Sequence, residues 1–286
     1  MDDLQTRELR YFVAIAEELH FGRAAQRLGI AQPPLSRAIR QLERRMGVAL
    51  LTRGSRGVAL TGSGEVLLHE GRKALEAVAA AARRAQRAGE DPRLVLVMKA
   101  GADGGLLPDI LSGYGAEPGA MRVEVVVCGI GEQAPLLRQG RADVGLLHPP
   151  HDDTSGFDTE ELLIQGQVAV LPAGHPLAGR PAILLDDLRG ETMPRWPGAQ
   201  STGDGPLVRD SAQLMQLIAL GRTVAVLPES VRAHLRRDLV AVPIVDAPLT
   251  RVVLAWPAGS RSRGLGAFVA AATTVAARRA APIGVG

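Results

Sequence analysis

Asparagine is absent from the 286 residues, lysine occurs twice among 33 basic residues, and cysteine occurs once. The single Cys128 can form neither an internal disulfide nor a cysteine-rich metal centre, which fits a reducing compartment. Aromatics make up 3% of the chain, four Phe, two Tyr and two Trp. That is too few for a stacking platform on single-stranded nucleic acid or for an aromatic cage. Long apolar runs are missing too: no stretch approaches the roughly 18 residues of a membrane span, and the start, Met1-Asp2-Asp3-Leu4-Gln5, is acidic rather than basic. These absences predict a cytoplasmic protein with no membrane partner. What is present, 46% apolar and 22% charged residues, is an ordinary globular composition. The length suits two domains of roughly 100 to 200 residues each.

The charge is unevenly placed. Residues 1–90 hold 15 basic and 10 acidic residues, residues 91–286 hold 18 and 20. Within 23–56 there are eight arginines (Arg23, Arg27, Arg37, Arg40, Arg44, Arg45, Arg53, Arg56) and one acid, Glu43. A codon bias toward arginine accounts for the choice of basic residue but not for the missing acids, so the segment reads as a polyanion-binding patch.

Leu9, Phe12, Val13, Ile15, Ala16 and Leu19 recur at helical spacing and predict a helix over 6–19. A short helix over 23–28 follows, closed by Gly29, and a third helix runs from the Pro33-Pro34 start to about Met46. On the third helix Leu35, Ile39, Leu42 and Met46 share one side, while Ser36, Arg37, Arg40 and Arg44 share the other. This is the pattern of a helix-turn-helix with a basic recognition face. Residues 50–53 and 58–61 form a hairpin around Gly54-Ser55-Arg56-Gly57, expected as a wing whose Arg53, Ser55 and Arg56 reach phosphates or the minor groove. Residues 63–88 predict one long Ala-rich helix, too slight to bury itself alone and expected to pair with a second copy. From Arg93 the pattern becomes α/β. Strands at 94–98, 123–127 and 142–147 alternate with helices at 106–114 and 131–139, predicting βαβ units and a parallel sheet. A second lobe is expected to begin near Glu161, with strands at 167–171 and 224–228, a helix at 211–220, and a last strand (252–256) and helix (264–279).

The runs Glu8-Leu9-Arg10-Tyr11-Phe12-Val13-Ala14-Ile15-Ala16-Glu17-Glu18, Arg23-Ala24-Ala25, Ala31-Gln32-Pro33-Pro34-Leu35-Ser36-Arg37, Gln41-Leu42-Glu43 and Leu60-Thr61-Gly62-Ser63-Gly64-Glu65 closely resemble the LysR-type transcriptional regulators. Beyond residue 90 the resemblance lies in arrangement, through Leu107-Pro108, Ala142-Asp143-Val144-Gly145, Leu171-Pro172-Ala173-Gly174-His175-Pro176-Leu177 and Leu227-Pro228. It implies an α/β protein with an N-terminal all-α winged helix-turn-helix domain and a two-lobed effector domain of the periplasmic-binding-protein type (type II). The expected boundaries are 1–62 for DNA binding, 63–90 for the linker and dimerisation helix, and 91–286 for the effector domain. Within the last, lobe I takes about 91–163 plus 257–286 and lobe II about 164–256. The implied activity is sequence-specific transcriptional regulation tuned by a small molecule, without enzymatic chemistry. Expected partners are double-stranded DNA at a dyad-symmetric promoter site, a small-molecule effector, further copies of the chain as a homodimer or homotetramer, and RNA polymerase. One departure is the short Gly-rich stretch 198–205, where the family carries more chain, so lobe II is expected to be trimmed beside the cleft.

The DNA-binding candidates are Arg23, Gln32, Pro33, Pro34, Ser36, Arg37, Arg40, Arg53, Ser55 and Arg56. In an α/β domain ligands gather at strand C-terminal ends and helix starts. The effector candidates are therefore Gly101, Ala102, Asp103, Gly129, Ile130, Gly131 and His148, faced by Arg195, Trp196, Ser201 and Thr202 of lobe II. Asp103 has two readings. It caps the following helix, or it meets a neutral or amine-bearing effector, an anion being repelled unless Arg195 compensates. His148-Pro149-Pro150-His151-Asp152-Asp153 has histidines and acids but no ligand spacing suited to a metal, so no metal or cofactor is expected. Gly129-Ile130-Gly131 lacks the third glycine of a dinucleotide fingerprint. No Gly-x-Ser-x-Gly, Walker A or His-Glu-x-x-His run occurs, and Cys128 has no base beside it in sequence. The rivals are an α/β enzyme or solute-binding protein with a helical accessory domain, and an architectural DNA-bending protein. The first lacks a catalytic constellation, and the second leaves the C-terminal two-thirds unexplained.

Overall fold

The computed structural model describes residues 4–54, 57–90, 92–197 and 205–280, and the chain divides into two compact units, residues 1–82 and 83–286. The N-terminal unit is built from α1 (Thr6–Glu18), α2 (Phe21–Leu28) and α3 (Gln32–Met46), the hairpin β1 (Leu51–Gly54) and β2 (Gly57–Leu60), and the first part of α4 (Gly62–Glu90). Phe12, Ile15, Ala24, Leu35, Ile39, Leu42 and Leu50 form its core. Met46, expected on the apolar side of α3, is exposed because the helix ends there on Gly47 in the left-handed conformation. Gly64 meets a close approach: a Cβ there would lie 2.1 Å from the Leu50 carbonyl oxygen, so only glycine lets α4 start against the wing.

In the C-terminal unit, β3 (Arg93–Lys99), α5 (Leu107–Gly115), β4 (Arg122–Cys128), α6 (Gln133–Arg138) and β5 (Val144–Leu147) give the expected alternation. β6 (Phe157–Gln165) and β7 (Gln167–Pro172) then follow, with α7 (Ser211–Ala219), β8 (Ala225–Pro228), β9 (Leu239–Ile244), β10 (Thr250–Pro257) and α8 (Arg263–Ala280). Two sheets result, ordered β4-β3-β5-β10-β6 and β8-β7-β9. The expectation of a parallel sheet holds only for β4, β3 and β5. β10 runs antiparallel between β5 and β6, and the second sheet is wholly antiparallel.

The lobe boundaries need correction accordingly. Residues 252–256, assigned by sequence to lobe II, lie in the first sheet, because Val252, Leu254 and Ala255 complete its core against β5. Two crossings, at Gly166 between β6 and β7 and at 245–249 between β9 and β10, therefore join the lobes. β6 carries no clear strand pattern because it is the sheet edge: Leu162 is its only buried side chain, Asp158 and Glu161 stay in solvent and Glu160 is half-buried. Helix α8 packs on α5 in the first lobe as expected, and Tyr114 meets Phe268 edge-to-face at 5.2 Å. No helix among the described residues is long and apolar enough to cross a membrane.

Candidate nucleic-acid interface and inter-lobe cleft

Local chemistry sets the pose of α3. The His20 ring accepts hydrogen bonds from the Gly22 and Arg23 amides at 3.0 and 3.2 Å and so starts α2. Gly29, at φ 66°, ends it, and Pro33 and Pro34 sit in the first turn of α3. Leu35, Ile39 and Leu42 are 0% exposed, which orients the opposite face outward: Gln32, Pro33, Pro34, Arg37, Arg40, Gln41 and Arg44 are exposed and Ser36 is half-buried. An open groove of about 810 Å³ is lined by Arg37, Arg40, Gln41, Glu43 and Arg44 together with the turn after the helix.

The structure sorts the arginines of the basic segment. Arg45 lies 2.5 Å from Glu8, which is nearly buried, and the guanidinium holds that carboxyl below its ordinary pKa. Arg27 pairs with Glu17 at 2.7 Å. Arg23, a DNA-binding candidate, is held by both the carboxylate and the carbonyl oxygen of Glu18, so its charge is shared with α1. In contrast, Arg37 has no partner among the described residues, and Arg40 and Arg44 make only long 3.3 Å contacts to carbonyls of their own helix. The lone acid Glu43 borders the same groove, but its Oε1 is engaged by the Leu50 and Leu51 amides, from which it accepts at 2.9 and 3.1 Å, and so anchors the wing. In the wing, Arg53 pairs with Val58 through the backbone; its side chain, like Ser55 and Arg56, lies outside the described residues.

At the strand ends of the first lobe, Gly101, Gly104 and Gly105 take positive φ and Asp103 is buried. The Asp103 carboxylate accepts from the Leu107 amide at 3.2 Å and so satisfies the first amide of α5, although the N-cap position itself is Leu106, whose side chain makes no cap bond. Arg195 does not compensate it: its Nε donates to the Gly205 carbonyl at 2.8 Å, and the residue is exposed. The lobes touch directly. The Ile130 amide donates to the Arg209 carbonyl at 2.9 Å, and Ser211 Oγ donates to the Ala100 carbonyl at 3.1 Å. Ile130 and Trp196, from opposite lobes, pack on one apolar cluster with Val208 and Leu214. A Cβ at Gly129 would come within 3.1 Å of that same Arg209 carbonyl, and one at Gly131 within 3.6 Å of the Pro197 carbonyl. Ser201 and Thr202 lie outside the described residues.

His148 is buried, and beside it is an ion pair that the sequence did not suggest: Lys99 Nζ lies 2.9 Å from Asp152 Oδ2, which also accepts from the His148 amide at 2.8 Å. Burial alone pushes Asp152 up, but hydrogen bonding with His148 and the charge of Lys99 outweigh it and hold the carboxyl at about 2. Burial also depresses the His148 pKa below its ordinary value, against the opposing pull of Asp152. Cys128 ends β4, and burial together with Glu132 pushes its thiol up to about 11, which suits a packed thiol rather than a nucleophile. No group of three potential metal ligands is gathered among the described residues.

A winged helix-turn-helix with an uncommitted cationic recognition face, followed by two α/β lobes meeting at strand C-terminal ends, defines a DNA-binding regulator with an effector domain. The chain belongs to the LysR family: residues 6–65 match the bacterial regulatory helix-turn-helix protein, lysR family, and residues 87–277 match the LysR substrate binding domain. It is 33% identical to the Hca operon transcriptional activator HcaR of Escherichia coli (strain K12), over 93% of this chain and 96% of that protein. It is 40% identical to the HTH-type transcriptional regulator AlsR of Bacillus subtilis (strain 168), over 66% of this chain and 63% of that protein. Among solved structures, full-length BenM superposes with a TM-score of 0.53 at 27% identity, covering 96% of this chain and 98% of BenM. The protein is accordingly a transcriptional regulator with a helix-turn-helix DNA-binding domain and an effector-binding domain, and not an enzyme.

Proposed function

We propose that α3 reads base edges in the major groove through Gln32, Pro33, Pro34, Ser36 and Arg37, while Arg40, Arg53, Ser55 and Arg56 meet phosphates or the minor groove and Arg23 plays a lesser part. The observation that carries this reading is that Arg37 is exposed and has no partner among the described residues, whereas Arg23, Arg27 and Arg45 are already occupied by Glu18, Glu17 and Glu8. Two copies joined through residues 63–90, and pairs of such dimers as a homotetramer, match a dyad-symmetric promoter site in the cytoplasm, with RNA polymerase as a further partner. Residues 1–62 then form the reading head and 91–286 the sensor. Val66 and Val78, exposed on α4, are the side chains that a second copy would cover.

The effector reading rests on the strand ends. Gly101, Ala102, Gly129, Ile130, Gly131 and His148 form the first-lobe side of this candidate site and Arg195 and Trp196 the second-lobe side, with Asp103 shaping the loop through the Leu107 amide rather than as a contact; Ser201 and Thr202 remain candidates from the sequence alone. An effector there acts on the lobe contacts made by Ile130 and Ser211. Fluorescence anisotropy on a duplex from the promoter beside its own gene, against a scrambled duplex and across a metabolite panel, tests both halves. Selective binding that one small molecule shifts supports the reading; equal affinity for both duplexes, unmoved by any metabolite, contradicts it.

A further inference from the structure

The turn between α3 and the wing is held from two sides. From α3, one oxygen of the half-buried Glu43 accepts from the backbone amides of both Leu50 and Leu51, at 2.9 and 3.1 Å. From the other side comes Thr61, the residue before α4. Its hydroxyl donates to the Ala49 carbonyl at 2.7 Å, and its amide donates to the Leu50 carbonyl at 3.0 Å. The same hydroxyl accepts from the Gly64 amide at 3.0 Å and so caps the first turn of α4. Residues 49–51 are therefore a node at which the recognition helix, the first wing strand and the start of α4 meet, with Leu50 fully buried. The charge of Glu43 stands out there. It is the one acid within 23–56 and borders the groove lined by Arg37, Arg40 and Arg44, a position from which a carboxylate repels phosphate. What offsets that repulsion is the hold of its oxygen on the two amides, each a charge-assisted hydrogen bond.

We propose that Glu43 and Thr61 are positioning residues for DNA recognition: by clamping residues 49–51 they fix where the wing stands relative to α3, so that the wing reaches the DNA backbone while α3 lies in the major groove. The inference rests on the reading of α3 as the recognition helix. Both residues act through the backbone of 49–51 rather than by touching DNA. Because both amides end on one Glu43 oxygen, glutamine keeps the clamp and removes the charge, whereas alanine removes both. At Thr61, serine keeps the hydroxyl, and valine keeps the shape without it.

The full-length protein on the promoter duplex beside its own gene tests this with two probes. Dimethyl sulfate reports guanine N7 in the major groove under α3, and hydroxyl radicals report the sugars under the wing, while affinity is followed over a salt series. Glu43→Ala and Thr61→Val should keep the guanine protection, lose the sugar protection flanking each half-site, lower the salt slope by about one and weaken binding by about tenfold. Glu43→Gln and Thr61→Ser should keep the wild-type footprint and slope. A role in stability alone would lower the melting temperature and leave the footprint and slope of the bound protein unchanged. Hydrogen exchange at the Leu50 and Leu51 amides, measured without DNA, should accelerate in Glu43→Ala and not in Glu43→Gln. Should Glu43→Ala not fold, the near-isosteric Thr61→Val decides. Three results, with guanine protection intact, overturn this inference alone: wild-type flanking protection and slope in Glu43→Ala or Thr61→Val, a loss in Glu43→Gln equal to that in Glu43→Ala, or unchanged exchange at Leu50 and Leu51 in Glu43→Ala. Absence of guanine protection in wild-type protein would overturn the reading of α3 and this inference with it.

Discussion

Lys99 places its ammonium 2.9 Å from the Asp152 carboxylate, joining the end of β3 to the loop after β5 beneath the strand-end glycines. Both side chains are largely buried, so each depends on the other for compensation of its charge. The ionised Asp152 contributes about 2 kcal/mol to the folded state by linkage. Its folded pKa, about 2, is depressed below the ordinary 3.8, so this contribution is complete above the ordinary value and is lost as the pH falls toward about 2. His148 acts in the same direction at higher pH. Its folded pKa is also depressed, so its contribution is complete above the ordinary 6.5 and is lost as the pH falls through the folded value. Urea unfolding as a function of pH should show stability declining below neutrality in wild-type protein and a flatter upper limb in His148→Gln. Asp152→Asn should lose about 3 kcal/mol, because it leaves the Lys99 charge buried and unpaired. An Asp152→Asn protein of wild-type stability would show that the pair has no structural role.

Arg37 and Arg40 separate base reading from phosphate contact. Arg37→Ala should cost about 1 to 3 kcal/mol on the cognate duplex and much less on a scrambled one. Arg40→Ala should weaken both alike and lower the salt slope by about one. Anisotropy titrations over a salt series check both, and equal loss on the two duplexes for Arg37→Ala would remove it from base reading.

The excess of arginine over 23–56 is legible in the sequence, but which of those arginines are already paired is not. Arg45 and Glu8 stand 37 residues apart, and Lys99 and Asp152 stand 53 apart, so neither pairing leaves a local signal. Periodicity showed α3 and its buried face because Leu35, Ile39 and Leu42 repeat within one helix. Sheet direction could not be read in the same way. The stretch 252–256 looks equally apolar in either lobe, and only its partners β5 and β6 place it in the first. For Asp103 the local rule gives the partner but not the position: the carboxylate reaches the first amide of α5 at Leu107, while the N-cap residue is Leu106.

Asp103 as the acceptor of the Leu107 amide predicts an asymmetric pair of variants. Asp103→Asn should retain most of the stability and respond to the effector as wild-type protein does. Asp103→Ala should lose about 1 kcal/mol by freeing the Leu107 amide. Melting curves and effector titrations distinguish the two roles, and an altered effector response in the stable Asn variant would restore Asp103 as a ligand contact.

Val78 and Ala82 on α4 test self-association. Val78 is exposed, so a Val78→Glu/Ala82→Glu protein should fold normally but sediment as a smaller species, because the substitutions bring like charges together at the seam. An unchanged sedimentation coefficient would place the oligomer contact elsewhere.

The central claim is selective recognition of duplex DNA by the exposed face of α3, and hydroxyl-radical footprinting on the promoter beside the protein's own gene tests it most directly. The account predicts two protected half-sites related by a dyad and spaced by about one helical turn or a multiple of it. That protection should disappear in Arg37→Ala at a concentration where non-specific retention persists. Uniform protection along the fragment, or an unchanged footprint in Arg37→Ala, would contradict it.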